Sequence, residues 1–151
     1  MQPVANQLFV ELQAPADLNG GVTASYFSMK NIGRVSIYVH LGAVSSLADD
    51  MTVTLYEATA VAGTGATALD IPRAYTYDAA TDVYTAATVA TDGTIVANAN
   101  EVLVLDIDES DLTQGYDCLG ITIADPGQAD SYGAVYAIGQ NLKALESALT
   151  D

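Results

Sequence analysis

The chain has 151 residues, of which 19 are acidic and 4 are basic, so its formal net charge is −15. This charge excludes nucleic acid and anionic membranes as partners, because binding to either requires Lys or Arg side chains. Half of the residues are apolar, enough for the core of one domain, and a single cysteine excludes a disulfide within the chain. The first residues lack the basic start and apolar run of a signal peptide, and no segment is long enough to span a membrane. We therefore expect a protein that is made and functions in solution.

The N-terminal part of the chain predicts two short strands. Leu8–Leu12 is an apolar run that we expect to end before Pro15, and Val22–Met29 alternates imperfectly between polar and apolar residues. We interpret residues 1–17 as an N-terminal arm or first strand, and residues 18–151 as a single β domain.

The stretch from Arg34 to Leu69 has the clearest alternation in the sequence. Apolar residues recur at every second position in two arms, which is the period of a half-buried strand: Val35, Ile37, Val39, Leu41, and then Met51, Val53, Leu55. We interpret the two arms as a β-hairpin with a long connection, followed by a flexible loop around Gly63-Thr64-Gly65. No Lys-Ser or Lys-Thr follows these glycines, so the loop is not a phosphate-binding loop.

Tyrosine-bearing arms flank the next turn signal. Ala74–Tyr84 predicts two strands around a polar turn at Asp78–Asp82, and Asp92-Gly93 is a strong signal for a second hairpin. Aromatic side chains on such strands either pack across the sheet or contact a partner. Our candidates for contact with a partner are Phe9, Tyr75, Tyr77 and Tyr84.

An acidic cluster follows the strand predicted at Val102–Ile107. Asp106, Asp108 and Asp111 place three carboxylates within six residues, and calcium is bound by such oxygens. The glycine and terminal glutamate of the EF-hand loop are missing, which favours a solvated strand end followed by a capped turn over a calcium site. We expect no bound cofactor.

The C-terminal part predicts two more strands, Cys118–Ala124 and Ser131–Ile138, with Tyr132 and Tyr136 on one face of the second. Leucines at helical spacing near the end indicate a short C-terminal helix or tail: Leu142, Leu145 and Leu149. About eight short strands with almost no helix predict an all-β fold, an antiparallel β-sandwich or a jelly-roll-like barrel.

Residues for catalysis are scarce. His40 is the only histidine, and it lies opposite the apolar face of its strand, so we expect it to face solvent. Ser45-Ser46 lacks the surroundings of a nucleophile elbow, and Cys118 lies in a strand-like segment where we expect a buried, unreactive thiol. We therefore expect no enzymatic activity.

Four segments, taken in order, resemble a group of small virion proteins of tailed bacteriophages that decorate or stabilise the head. The segments are GVTASYFSMKNIGRVSIYVHLGA, VTLYEATAVAGTGATAL, EVLVLDIDESDLTQGYDCLGITIAD and YGAVYAIGQNLKA. The resemblance implies a structural role: a capsid decoration protein that binds the major capsid protein on the outer surface of the shell as a trimer. It also implies synthesis in the host cytoplasm and residence in the virion.

Two other roles fit the same composition. A carbohydrate-binding or host-recognition module would use exposed tyrosines to stack on sugar rings, and a neck or tail connector would be present in few copies per particle. The copy number in purified particles distinguishes the decoration protein from the connector.

Overall fold

The computed structural model describes residues 7–42, 51–78, 80–89, 94–97, 101–125, 127 and 131–143. Within these ranges the chain forms eleven β-strands and one 3₁₀ turn, Glu109–Asp111. The strands are β1 Leu8–Asp17, β2 Val22–Ser28, β3 Ile32–Leu41, β4 Met51–Ala58, β5 Thr67–Ala68, β6 Ala74–Asp78, β7 Val83–Ala86, β8 Thr94–Ala97, β9 Glu101–Asp108, β10 Cys118–Ile123 and β11 Tyr132–Leu142. No helix in the described part of the chain has the length and apolar character needed to cross a membrane.

The strands form two antiparallel sheets. The six-stranded sheet has the order β1-β11-β3-β9-β6-β7, and the five-stranded sheet has the order β2-β10-β4-β5, with β8 also paired to β4. The predicted all-β sandwich is confirmed. Consecutive strands lie in opposite sheets at every step except β4 to β5 and β6 to β7.

The core lies between the two sheets. Alternate residues of each strand point into it, as a strand with one buried face requires. The fully buried side chains come from both sheets and include Val35, Ile37, Val39, Met51, Val53, Leu55, Leu103, Leu105, Ile107, Leu119, Ile121 and Val135.

The predicted hairpin between the two alternating arms is wrong. β3 pairs with β11 and β9, whereas β4 pairs with β10, β5 and β8 in the opposite sheet. Both arms alternate because both sheets bury one face in the same core, and the period alone does not distinguish partners within a sheet from partners across the core. The connection, including Ser45-Ser46, lies outside the described residues.

Other boundaries also differ from the sequence prediction. The strands number eleven rather than about eight, because three of them, β5, β7 and β8, are four residues or shorter. β1 continues through Pro15 to Asp17, which an edge strand tolerates because one row of its N–H groups has no partner in the sheet. The strand after Asp92-Gly93 pairs with β4, and the turn itself lies outside the described residues. Leu142 belongs to β11, and most of the predicted C-terminal helix falls outside the described residues.

Candidate interaction face

Seven aromatic side chains belong to the outer face of the six-stranded sheet, on the side away from the core. Strand register and alternation place them there: Phe9, Tyr38, Tyr75, Tyr77, Tyr84, Tyr132 and Tyr136. We call this set the aromatic face. The chain has 9 tyrosines and 2 phenylalanines, so most of its aromatic side chains lie on one side of one sheet.

Cross-strand pairing arranges the aromatic face in two rows. In the first row Tyr136 lies opposite Tyr38, Tyr38 opposite Val104, and Val104 opposite Tyr75. In the second row Ala134 lies opposite His40, and the row continues through neighbouring strands to Tyr77 and Tyr84. Side chains at such positions are close enough to contact one another, so the face is continuous from β11 to β7.

Two pairs of aromatic rings pack against each other at the ends of the aromatic face. The ring centroids of Phe9 and Tyr136 are 5.3 Å apart, and those of Tyr77 and Tyr84 are 4.8 Å apart, both in tilted arrangements. The Tyr77 hydroxyl donates a hydrogen bond of 2.8 Å to Asp82 Oδ1. That hydrogen bond, together with the negative charge of Asp82, raises the pKa of the Tyr77 phenol.

Two adjoining clefts lie on this face and share His40 and Tyr136. The larger, about 410 Å³, is lined by Pro15, Ala16, His40, Gly42, Tyr132, Gly133, Ala134 and Tyr136. The smaller, about 230 Å³, is lined by Phe9, Tyr38, His40, Val102, Tyr136 and Ile138. Neither lining contains an Asp, Glu, Lys or Arg side chain.

One end of the aromatic face is closed by the arginine–carboxylate cluster, which consists of Arg34, Arg73, Asp106, Asp108 and Asp111. Arg34 donates through Nε to Asp106 Oδ1 at 2.8 Å and through Nη2 to Asp106 Oδ2. Arg73 Nη2 donates to Asp108 Oδ2 at 2.6 Å and to Asp111 Oδ2 at 2.9 Å. The hydrogen bond from Arg34 lowers the pKa of Asp106 below its ordinary value against the opposing effect of burial, and the charges of both arginines act in the same direction.

The three carboxylates considered for calcium are thus occupied by guanidinium groups. β9 continues through Asp106 and Asp108, so both side chains point to the same face, where the two arginines meet them. Among the described residues, no group of three His, Cys, Asp or Glu side chains is placed to hold a metal ion. The geometry favours an internal ion-pair cluster over a calcium site.

The two lysines are also paired within the chain. Lys30 lies 3.1 Å from Asp117, and Lys143 pairs with Glu109. The sequence has only 4 basic residues, and the described structure gives each of these Lys and Arg side chains an acidic partner. The excess acidic charge therefore has no counterpart within the protein.

On the outer face of the five-stranded sheet, the glycine loop covers the ring of Tyr26. Tyr26 lies across from Gly120 in the strand pairing, and a Cβ atom at Gly120 would come within 2.6 Å of its ring. Gly63, from the glycine loop, is close to the same ring, since a Cβ atom there would lie 2.8 Å from it. The predicted glycine loop thus folds over Tyr26, and Gly63 and Gly65 both adopt positive φ angles that favour glycine.

The structure describes two of the reactive side chains noted in the sequence, His40 and Cys118. His40 is exposed, as predicted, on the aromatic face. Cys118 is buried, as predicted, and donates through Sγ to Asp117 Oδ1 at 3.1 Å. Burial raises the pKa of the Cys118 thiol to about 11, and the hydrogen bond to Asp117 acts in the same direction, so the thiol stays protonated at neutral pH.

All four aromatic candidates from the sequence lie on the aromatic face. Phe9 and Tyr84 are each 61% exposed and Tyr75 is 37% exposed, while Tyr77 is half-buried. The sequence pattern places Tyr132 and Tyr136 on one face of their strand, which the structure confirms, but the pattern does not join these two residues or Tyr38 to the four candidates. The available signal is the presence of aromatic residues at the polar positions of β3 and β11. The strand order is needed to show that these residues share one face with the four candidates.

A comparison with solved structures finds a likeness in fold. The crystal structure of the SPBc2 prophage-derived protein YomS aligns with a TM-score of 0.52 over 89% of this chain and 92% of that chain, at 11% sequence identity. No protein-family profile matches the sequence, and no curated protein matches it. The two chains therefore share a fold along nearly their whole lengths.

Proposed function

We propose that this chain is a structural protein of a tailed-phage virion that binds the outer surface of the capsid and stabilises it as a trimeric decoration protein. The observation that carries the proposal is the fold shared with a prophage-derived protein over about nine tenths of both chains. Double-sheet β architectures are also frequent in viral capsid domains, which is support by analogy of fold.

The construction of the molecule supports a packing role without catalysis. The core is continuous across both sheets, and the partly buried charges of the arginine–carboxylate cluster are paired with one another. A rigid body of this kind is suited to repeated attachment on a shell.

The charge distribution limits the partners that this protein can bind. Its Lys and Arg side chains are engaged internally and its net charge is −15, so a polyanion has no site for ionic contact. The shell surface that it contacts must be basic or neutral. If the partner is basic, binding to the shell weakens as salt concentration rises, because salt screens the attraction.

The copy number of the chain in purified particles tests the proposal. We expect quantitative mass spectrometry to give a ratio near one copy per major capsid subunit, and sedimentation of the free protein to show a trimer. A handful of copies per particle would instead identify the neck or tail connector, and absence from the particle would overturn the virion assignment.

Attachment by an N-terminal arm is tested by deletion. β1 pairs along its length with β11 and contributes buried Leu12 to the core, so a deletion of residues 1–17 would remove part of the fold. The informative deletion ends at Asn6 and keeps all of β1. We expect this deletion to abolish binding to shells that lack this protein. Replacing residues 1–6 with an equally long Gly-Ser segment controls for the length of the segment. Unchanged binding after the deletion would exclude attachment by the arm.

A further inference from the structure

We propose that the aromatic face binds a neutral, linear oligosaccharide, with the cleft around Ala134 holding one sugar ring. This activity is independent of attachment to a capsid and adds recognition of a glycan to the proposed structural role. It is assigned from the shape, chemistry and charge of the two clefts.

The shape of the larger cleft follows from one small residue between two large ones. Tyr132, Ala134 and Tyr136 are alternate residues of β11 and share the outer face, so the backbone positions of the two tyrosines are roughly 13 Å apart at 3.3 Å per residue. Ala134 forms the floor between them, opposite His40 on β3. The resulting volume of about 410 Å³ is within the range of small-molecule sites.

The side chains around the cleft match the two surfaces of a sugar. A pyranose ring has apolar C–H faces, which pack on aromatic rings, and hydroxyl groups at its edge, which need hydrogen-bond partners. The rings of Tyr132 and Tyr136 supply the first, and Tyr132 is 54% exposed. The tyrosine hydroxyls and the His40 nitrogens supply donors and acceptors for the second.

The charge of the site selects a neutral sugar. No Asp, Glu, Lys or Arg lines either cleft, and every Lys and Arg of the chain is paired with an acidic side chain. An anionic glycan would find no ionic partner and would be repelled by the net charge of −15.

The site extends beyond one sugar ring. The smaller cleft shares His40 and Tyr136 with the larger one and reaches Phe9, whose ring packs on Tyr136. A linear chain lying across both clefts contacts more rings than a disaccharide does. The affinity is therefore expected to rise with the length of the oligosaccharide.

The test measures binding of neutral oligosaccharides by the intact protein with isothermal titration calorimetry. The probes are β-1,4-linked glucose oligomers, α-1,4-linked glucose oligomers and β-1,4-linked N-acetylglucosamine oligomers, each as dimer and hexamer, with a galacturonate hexamer as the anionic comparison. We expect at least one neutral series to bind, its hexamer at least about tenfold more tightly than its dimer, and the galacturonate hexamer not to bind.

Matched variants locate the binding site. Tyr132→Ala removes one wall of the cleft from an exposed position, and we expect it to weaken hexamer binding at least about tenfold. Ala134→Leu fills the floor and should have the same effect. Val61→Ala, at a 61% exposed residue outside the aromatic face, should leave binding unchanged.

Three outcomes overturn the proposal. One is the absence of binding by every neutral probe at concentrations of about 10 mM. Another is unchanged binding in Tyr132→Ala. The third is self-association of the wild-type protein that Tyr132→Ala abolishes while no sugar binds, because this result would assign the aromatic face to a second copy of the chain. Loss of sugar binding leaves copy number in the particle unaffected, so the two proposals fail separately.

Discussion

Asp106 is a carboxylate on the outer face of a sheet that is nevertheless only 5% exposed, because guanidinium groups cover it. Burial of a charge is costly unless partners replace the lost water, and here both arginines of the chain do so. The sequence showed the acids as a solvated strand end, since nothing in the local pattern indicates that Arg34 and Arg73, from distant segments, converge on them. Ion pairs between such distant segments are predictable only when the strand order is known.

Substituting Asp106→Asn should destabilise the protein by about 2 kcal/mol at pH 7, because the hydrogen bonds from the arginines lose a charged acceptor. Urea denaturation measures the loss. The matched control is Asp117→Asn, which removes the same charge from the exposed pair with Lys30 and should cost much less. Equal losses in the two variants would contradict a special role for the cluster.

The loss of stability caused by Asp106→Asn depends on pH. The pKa of Asp106 is lowered in the folded state, so its contribution to stability is complete above the unfolded pKa of about 4 and is lost as pH falls through the folded pKa. The stability difference between wild type and Asp106→Asn should therefore shrink below about pH 4. A difference that stays constant down to pH 2 would show that the carboxylate is not stabilised in the folded state.

Individual strands were predicted well, and their pairing was not. Alternation located β2, β3, β4, β9, β10 and β11 to within a few residues, and the polar turn correctly joined the tyrosine-bearing strands β6 and β7. Within the described residues, most other pairings join strands that are far apart in the chain, including both partners of β3. Alternation reports which residues face the core, and in a sandwich that information is the same for either sheet.

The ring of Tyr26 packs between the glycine loop and β10. This packing requires that Gly63 and Gly120, which contact the ring, have no side chains. Gly120→Ala should destabilise the protein by about 1–3 kcal/mol, because its Cβ would lie 2.6 Å from the ring of Tyr26. Denaturation of a double-mutant cycle with Tyr26→Ala checks the cause. In the Tyr26→Ala background the added methyl group should cost much less, and an unchanged cost would place the strain in the backbone.

At the scale of the molecule, repulsion among the excess acidic groups opposes the compact state. All Lys and Arg side chains are already paired, so only dissolved cations remain to screen the net charge of −15. The composition alone shows this excess of acidic groups. That every Lys and Arg side chain is already paired follows only from the structure. The linings of the two clefts on the aromatic face contain none of the acidic side chains.

We expect the melting temperature to rise by several degrees between 20 mM and 500 mM NaCl, because screening weakens repulsion more than it weakens the partly buried arginine–carboxylate cluster. Calorimetric scans measure the change. KCl at the same ionic strength should give the same shift, which excludes binding of one particular cation. A fall in melting temperature with salt would show that the internal ion pairs outweigh the repulsion.

The pairing of the first strand with the last has a consequence for biosynthesis. β1 pairs with β11, and the backbone amide of Ser131 donates to Asp17 across a separation of 114 residues. At 5–20 residues per second, a ribosome needs on the order of ten seconds to make the intervening chain. During that time the apolar start of β1 lacks its partner strand, so the six-stranded sheet closes only near the end of translation, and a prematurely terminated chain cannot complete it.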